Sequence, residues 1–77
     1  MKKAYMQKVY EHNGVLYCMN HIEEYYDEEG DLIHEYYTIY KSEMGDHGEW
    51  LDWETMSTHA SKKYASLVFE RLIGVRQ

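Results

Sequence analysis

Through Trp53 the chain carries short apolar runs broken by turn residues, and from Ser57 onward it carries a helical period. AYMQKVYEH and VLYCMNHI flank Asn13-Gly14. Asn-Gly between two such runs predicts a hairpin, because a type I′ turn needs positive φ at both central residues. Asp27-Glu28-Glu29-Gly30 fits a type I turn with Asp first and Gly fourth, followed by a bulge. Gly45-Asp46-His47-Gly48 marks a third turn ahead of EWLDWE. The segments between are read as strands near 3–11, 15–26, 32–42 and 49–53, forming an antiparallel meander. Asn20 with Glu23 resembles a helix capping pair, but the adjacent tyrosines and the turn at 27–30 favour a hairpin there.

In STHASKKYASLVFERLIG, apolar residues fall at Ala60, Tyr64, Ala65, Leu67, Val68, Leu72 and Ile73, which is a helical spacing. Ser57 or Thr58 is placed to cap the start, and Gly74 stands where a left-handed residue ends a helix. Lys63 and Glu70 fall on the opposite, solvated side. The expected fold is therefore α+β, a three- or four-stranded antiparallel β-meander with one C-terminal α-helix packed on one face. One domain spans residues 1–77, with the sheet over about 3–53 and the helix over about 58–73.

The 27–30 turn also predicts a register. Tyr26 faces Leu32, Glu24 faces His34 and Ile22 faces Tyr36; the other face pairs Tyr25 with Ile33, Glu23 with Glu35, His21 with Tyr37 and Met19 with Ile39. The Asn13-Gly14 turn adds Tyr5 and Val9 to the first face, and Met6 and Tyr10 to the second. Both faces are apolar, and Val15, Tyr17, Met19, Ile33, Tyr37 and Ile39 are favoured as the helix-covered side. Four strands make a sheet about 19 Å wide, while one helix is roughly 10–12 Å across. A second face rich in tyrosine is thus expected to stay open, and tyrosine is a residue that binding surfaces favour. Trp50 and Trp53, on a strand, point to opposite faces: one into the core under the helix, the other outward as an anchor.

Charge sharpens the picture. Residues 9–61 hold thirteen acids and one base, Lys41, a local −12. Lys2, Lys3 and Lys8 precede this body, and Lys62, Lys63, Arg71 and Arg76 against Glu70 follow it, which leaves the net −6. Seven carboxylates, Glu23, Glu24, Asp27, Glu28, Glu29, Asp31 and Glu35, crowd into residues 23–35 with no Lys or Arg among them. Direct nucleic-acid binding through this body is disfavoured, since phosphate affinity comes from Lys and Arg. No apolar run approaches the ~20 residues of a membrane span. Cys18 has no partner for a disulfide within the chain, which points to a reducing, cytoplasmic setting.

No catalytic constellation emerges, and a non-enzyme without cofactor is expected. DEEGDLIHEYY lacks EF-hand spacing. Cys18 and His21, three apart on a strand, point to opposite faces, so neither a zinc site nor a Cys/His dyad forms there; no metal ligands are assigned. Cys18 reads as a small buried hydrophobe, and His34 as the cross-strand partner of Glu24.

In general character the chain is small, acidic, free of proline, rich in tyrosine and without catalytic signature. It resembles in this the small phage-encoded proteins that inhibit host defence or transcription machinery, anti-CRISPR proteins among them; the likeness is of character and rests on no motif. It implies an acidic decoy for a nucleic-acid site. The expected function is a non-enzymatic inhibitor or adaptor that binds a basic, nucleic-acid-handling protein by charge mimicry. The seven carboxylates above would supply the field, and Tyr25, Tyr26 and Tyr36 the contact area. The alternative is a structural self-association module, a homodimer through the open tyrosine-rich face.

Overall fold

The computed structural model describes residues 1–74; Arg76, counted above in the basic tail, lies outside them. Four strands follow in chain order, β1 (Lys2–His12), β2 (Val15–Tyr25), β3 (Leu32–Glu43) and β4 (Glu54–His59), and then one helix, α1 (Lys62–Leu72). The strands pair antiparallel in the order β1-β2-β3-β4, so the α+β meander read from the sequence is the fold. Its Cα atoms span 43 × 34 × 15 Å, a slab one sheet and one helix thick. Among the described residues no helix is long and apolar enough to cross a membrane.

The first two turns form as their residues dictate. Asn13 and Gly14 both have positive φ, 53° and 77°, as a type I′ turn demands. At the β2–β3 turn the Gly30 N–H donates to Asp27 O at 3.2 Å, and Tyr26 N–H donates to Asp31 O at 3.3 Å. A Cβ on Gly30 would lie 2.9 Å from both Asp27 N and Tyr26 Cβ, so only glycine fits. From Val15↔Glu43 to Glu24↔His34 the β2–β3 register is the one the turn predicted. It then slips: Tyr25 faces Leu32, and Ile33, expected in the core, bulges out at 63% exposure.

A second bulge, at Gln7, corrects the assignment of β1. Val9 pairs with Cys18 and Tyr10 with Tyr17 as expected, but beyond Gln7 the register shifts, so Tyr5 faces His21 and Met6 faces Asn20. An extra residue in one strand exchanges the faces of all that follow. Tyr5 thus joins the helix side and Met6 the other.

α1 crosses the face that carries Met19 and Ile39. Met19, Ile39 and Ala65 are fully buried and Phe69 is 2% exposed, with Tyr17, Tyr37, Val68, Leu72 and Ile73 packed around them. Each large side chain buried in this way contributes about 1.5–3 kcal/mol. Phe69, absent from the periodic set read from the sequence, is the deepest helix side chain after Ala65, whereas Tyr64 and Leu67 of that set are exposed. Glu70 is reached from β1 by Lys8, at 3.9 Å, rather than standing on a purely solvated face.

The fourth strand and the helix start differ from expectation. Residues 49–53 are not a strand; Trp50 makes only a single bridge to Met44. ETMSTH pairs instead, with a bulge between Ile39 and Tyr40, and its Thr55 and Thr58 suit a pleated surface. Because β4 uses residues through His59, neither Ser57 nor Thr58 can cap the helix. Ser61 does so, its Oγ accepting from Tyr64 N–H at 3.3 Å. At the far end Gly74 takes φ 76° and donates to Arg71 O, closing the helix as predicted.

Candidate functional site

The β2–β3 hairpin outruns its neighbours. The first strand accompanies β2 as far as Tyr25, whose N–H donates to Met1 O at 2.8 Å and whose carbonyl accepts from the Met1 ammonium at 2.9 Å, and β4 stops where His59 faces Tyr37. Residues 26–31 therefore project from the slab. The tip is held by its own backbone and by Asp27 Oδ1, which accepts from Glu29 N–H at 2.9 Å. Asp27, Glu28, Glu29 and Asp31 are exposed, and Tyr26 beside them is 79% exposed. Among the described residues none of these four carboxylates takes part in a salt bridge.

The three remaining acids of the cluster are placed differently. Glu24 lies on the face away from the helix, where its Oε1 accepts from the Tyr36 hydroxyl at 2.9 Å and sits 3.5 Å from Lys2 Nζ. Tyr36's hydrogen bond holds the Glu24 carboxyl below the ordinary range, and Lys2 adds to this. Lys2 is raised in turn, by the phenolate of Tyr36 at the high pH where the lysine titrates and by Glu24. His34 stands opposite Glu24 as expected, but its ring lies against Tyr36, 5.0 Å between centroids.

Glu23 and Glu35 face each other on the helix side. Tyr25 donates its hydroxyl to Glu23 Oε1 at 2.8 Å, and His21 Nε2 is 3.1 Å from Glu35 Oε2. The phenol of Tyr25 is raised by that hydrogen bond, by burial, and by the negative charge of Glu23. Lys3, which pairs with Glu23 in the β1–β2 register, lays its ammonium over the Tyr25 ring, 5.2 Å from the centroid. The expected single surface of seven carboxylates and three tyrosines thus divides into a free tip (Tyr26, Asp27, Glu28, Glu29, Asp31) and two stem clusters on opposite faces. β1's lysines screen the stem, a consequence of strand order that the local sequence 23–37 does not contain.

The face away from the helix is not the tyrosine-rich one. Register places Tyr5, Tyr10, Tyr17, Tyr25 and Tyr37 on the helix side and only Tyr36 and Tyr40 on the other. The β3–β4 connection folds over the latter at one end, where Leu51 N–H bonds Glu43 O and the Ser42 hydroxyl donates to Leu51 O. Trp53, half exposed, borders a hollow of about 240 Å³ with Met6, Cys18, Asn20 and Tyr40. Neither tryptophan enters the core under the helix, because neither lies on a strand. Cys18 is buried on this face, with its thiol donating to Asn20 Oδ1 at 3.2 Å; burial pushes the thiol up.

No protein-family model, no curated protein and no solved structure matches this chain.

Proposed function

We propose that the chain is a non-enzymatic binding module that sets its acidic hairpin tip against a basic surface of a nucleic-acid-handling protein, as an inhibitor or adaptor acting by charge mimicry. The observation that carries this reading is the exposure of Asp27, Glu28, Glu29 and Asp31 on a hairpin tip past the Lys2↔Glu24 pair and the Met1–Tyr25 bonds, with the exposed ring of Tyr26 among them. Carboxylates on a narrow ribbon can enter a groove shaped for a phosphate backbone, and the partner's counterions are released as they do. The stem acids belong to the scaffold in this reading and the tip acids to the contact. The likeness in character to small phage-encoded inhibitors, anti-CRISPR proteins included, supports the choice of partner class, and the unpaired buried thiol supports a reducing cytoplasm.

The test is capture from bacterial lysate by the wild type and by the Glu28→Lys, Glu29→Lys variant, with elution by rising salt and identification of what is retained. A nucleic-acid-handling protein released by salt and lost by the variant is the expected result. Against a purified partner, the variant's association rate falls by about tenfold or more at low salt. Equal capture by both proteins removes the tip from the account.

The hollow bounded by Met6, Cys18, Tyr40 and Trp53 favours a second reading, self-association through the face away from the helix. A dimer in light scattering that is indifferent to salt and dissociates on Trp53→Ala supports it over the first.

A further inference from the structure

On the helix side, β2 and β3 bring three side chains able to bind a metal to one point. His21 and Glu23 are two apart on β2 and share a face, and Glu35 stands opposite Glu23 on β3. A ring nitrogen of His21 and one carboxylate oxygen from each glutamate all lie within 4.8 Å of one another. His21 Nε2 and Glu35 Oε2 are 3.1 Å apart. Ligands bound at ~2.0–2.2 Å around one ion stand about 3–4 Å from each other, so small side-chain adjustments close the set.

The surroundings are those of ligands held in place. The His21 ring is stacked on Tyr37, with centroids 4.6 Å apart and planes 11° from parallel, and Tyr5 lies on it at 6.2 Å. The Tyr25 hydroxyl anchors one oxygen of Glu23, an outer hydrogen bond of the kind that orients metal-binding carboxylates. Lys3, the nearest paired cation in the register, is turned over the Tyr25 ring. Two carboxylates directly opposite each other repel, and a divalent cation between them converts that repulsion into coordination.

We propose that His21, Glu23 and Glu35 form a site for one divalent transition-metal ion of the zinc type, with a further position open to water. Imidazole in the set selects against magnesium and calcium, which take oxygen ligands. The ion cross-links β2 to β3 at the base of the projecting tip and stiffens it. The site stands apart from the reading of the tip as a contact surface, and either can fail without the other.

The experiment is titration of the chelator-treated full chain with Zn²⁺, and separately with Mg²⁺, by calorimetry. Wild type is compared with His21→Gln, Glu23→Gln and Glu35→Gln. His34→Gln, on the opposite face, is the control. One Zn²⁺ per chain, no Mg²⁺ binding, and at least about tenfold weaker Zn²⁺ binding in each of the three variants but not in the control is the expected pattern. Thermal unfolding adds a readout that a structural role alone does not move. Without metal, Glu23→Gln melts above wild type because a repulsion is gone; with saturating Zn²⁺ it melts below. Absence of Zn²⁺ binding to wild type, full binding by His21→Gln, loss in the His34→Gln control, or a melting order that zinc leaves unchanged each overturns the site.

Discussion

The Tyr36 hydroxyl reaches diagonally across β2–β3 to Glu24, while Lys2 of β1 closes on the same carboxylate oxygen from the other side. Three strands meet at that one atom, just below the point where β1 ends. Because Glu24's folded pKa lies below its unfolded value, the stability it adds is present above the unfolded pKa and is lost as pH falls through the folded one. Tyr36→Phe removes the largest cause of the shift. NMR titration of the Glu24 carboxyl is expected to show its midpoint moving up toward ordinary glutamate, and unfolding curves to lose part of their pH dependence below about pH 4.3. An unmoved midpoint assigns the shift to Lys2 alone.

Phe69 is the helix aromatic buried in one cluster with Met19, Ile39 and Ala65. Phe69→Ala should cost about 3–5 kcal/mol in urea unfolding, a large share of the 5–15 kcal/mol typical of a domain. Leu67→Ala, at an exposed position of the same helix, should stay within about 0.5 kcal/mol. Comparable losses would mean that the helix docks by another face.

Cys18 is buried beside Asn20, and its thiol is held protonated above the ordinary range. Reaction with a disulfide reagent at pH 8 should therefore be at least about tenfold slower in the folded chain than in urea. The stability linked to this thiol is present below its unfolded pKa and fades as pH rises through the folded one. Equal rates in both states would show that the strand opens freely around Asn20.

Much of the fold was legible because short-range chemistry decides it. Asn13-Gly14 and Asp27–Gly30 specify their turns, and a turn specifies a register, which is why Glu23 was correctly set against Glu35 and His21 against Tyr37. The Gln7 bulge was not legible. Tyr5 and Met6 are both apolar, so either face accepts either residue, and the shift resolves only when β2 supplies both halves of the register. EWLDWE looked like a strand because tryptophan favours sheets, yet the pairing surface offered by Tyr37–Lys41 was taken by ETMSTH. Of the candidate site, the hairpin and its turn at 27–30 were legible. The lysines beside the stem were not, because they come from a strand twenty residues away in sequence. The His21, Glu23, Glu35 cluster was hidden for a related reason: no linear spacing joins it, although the predicted register already placed all three on one face.

The Gln7 bulge has a further consequence, for how the molecule behaves in a crowd. β1 is an eleven-residue strand at the edge of the sheet, long enough to template a neighbour's backbone. A mid-strand kink and three lysines make that edge a poor template: a second copy laid along it would meet like charge and lose register within a few residues. Fibrous growth along this border is thereby discouraged by the strand itself.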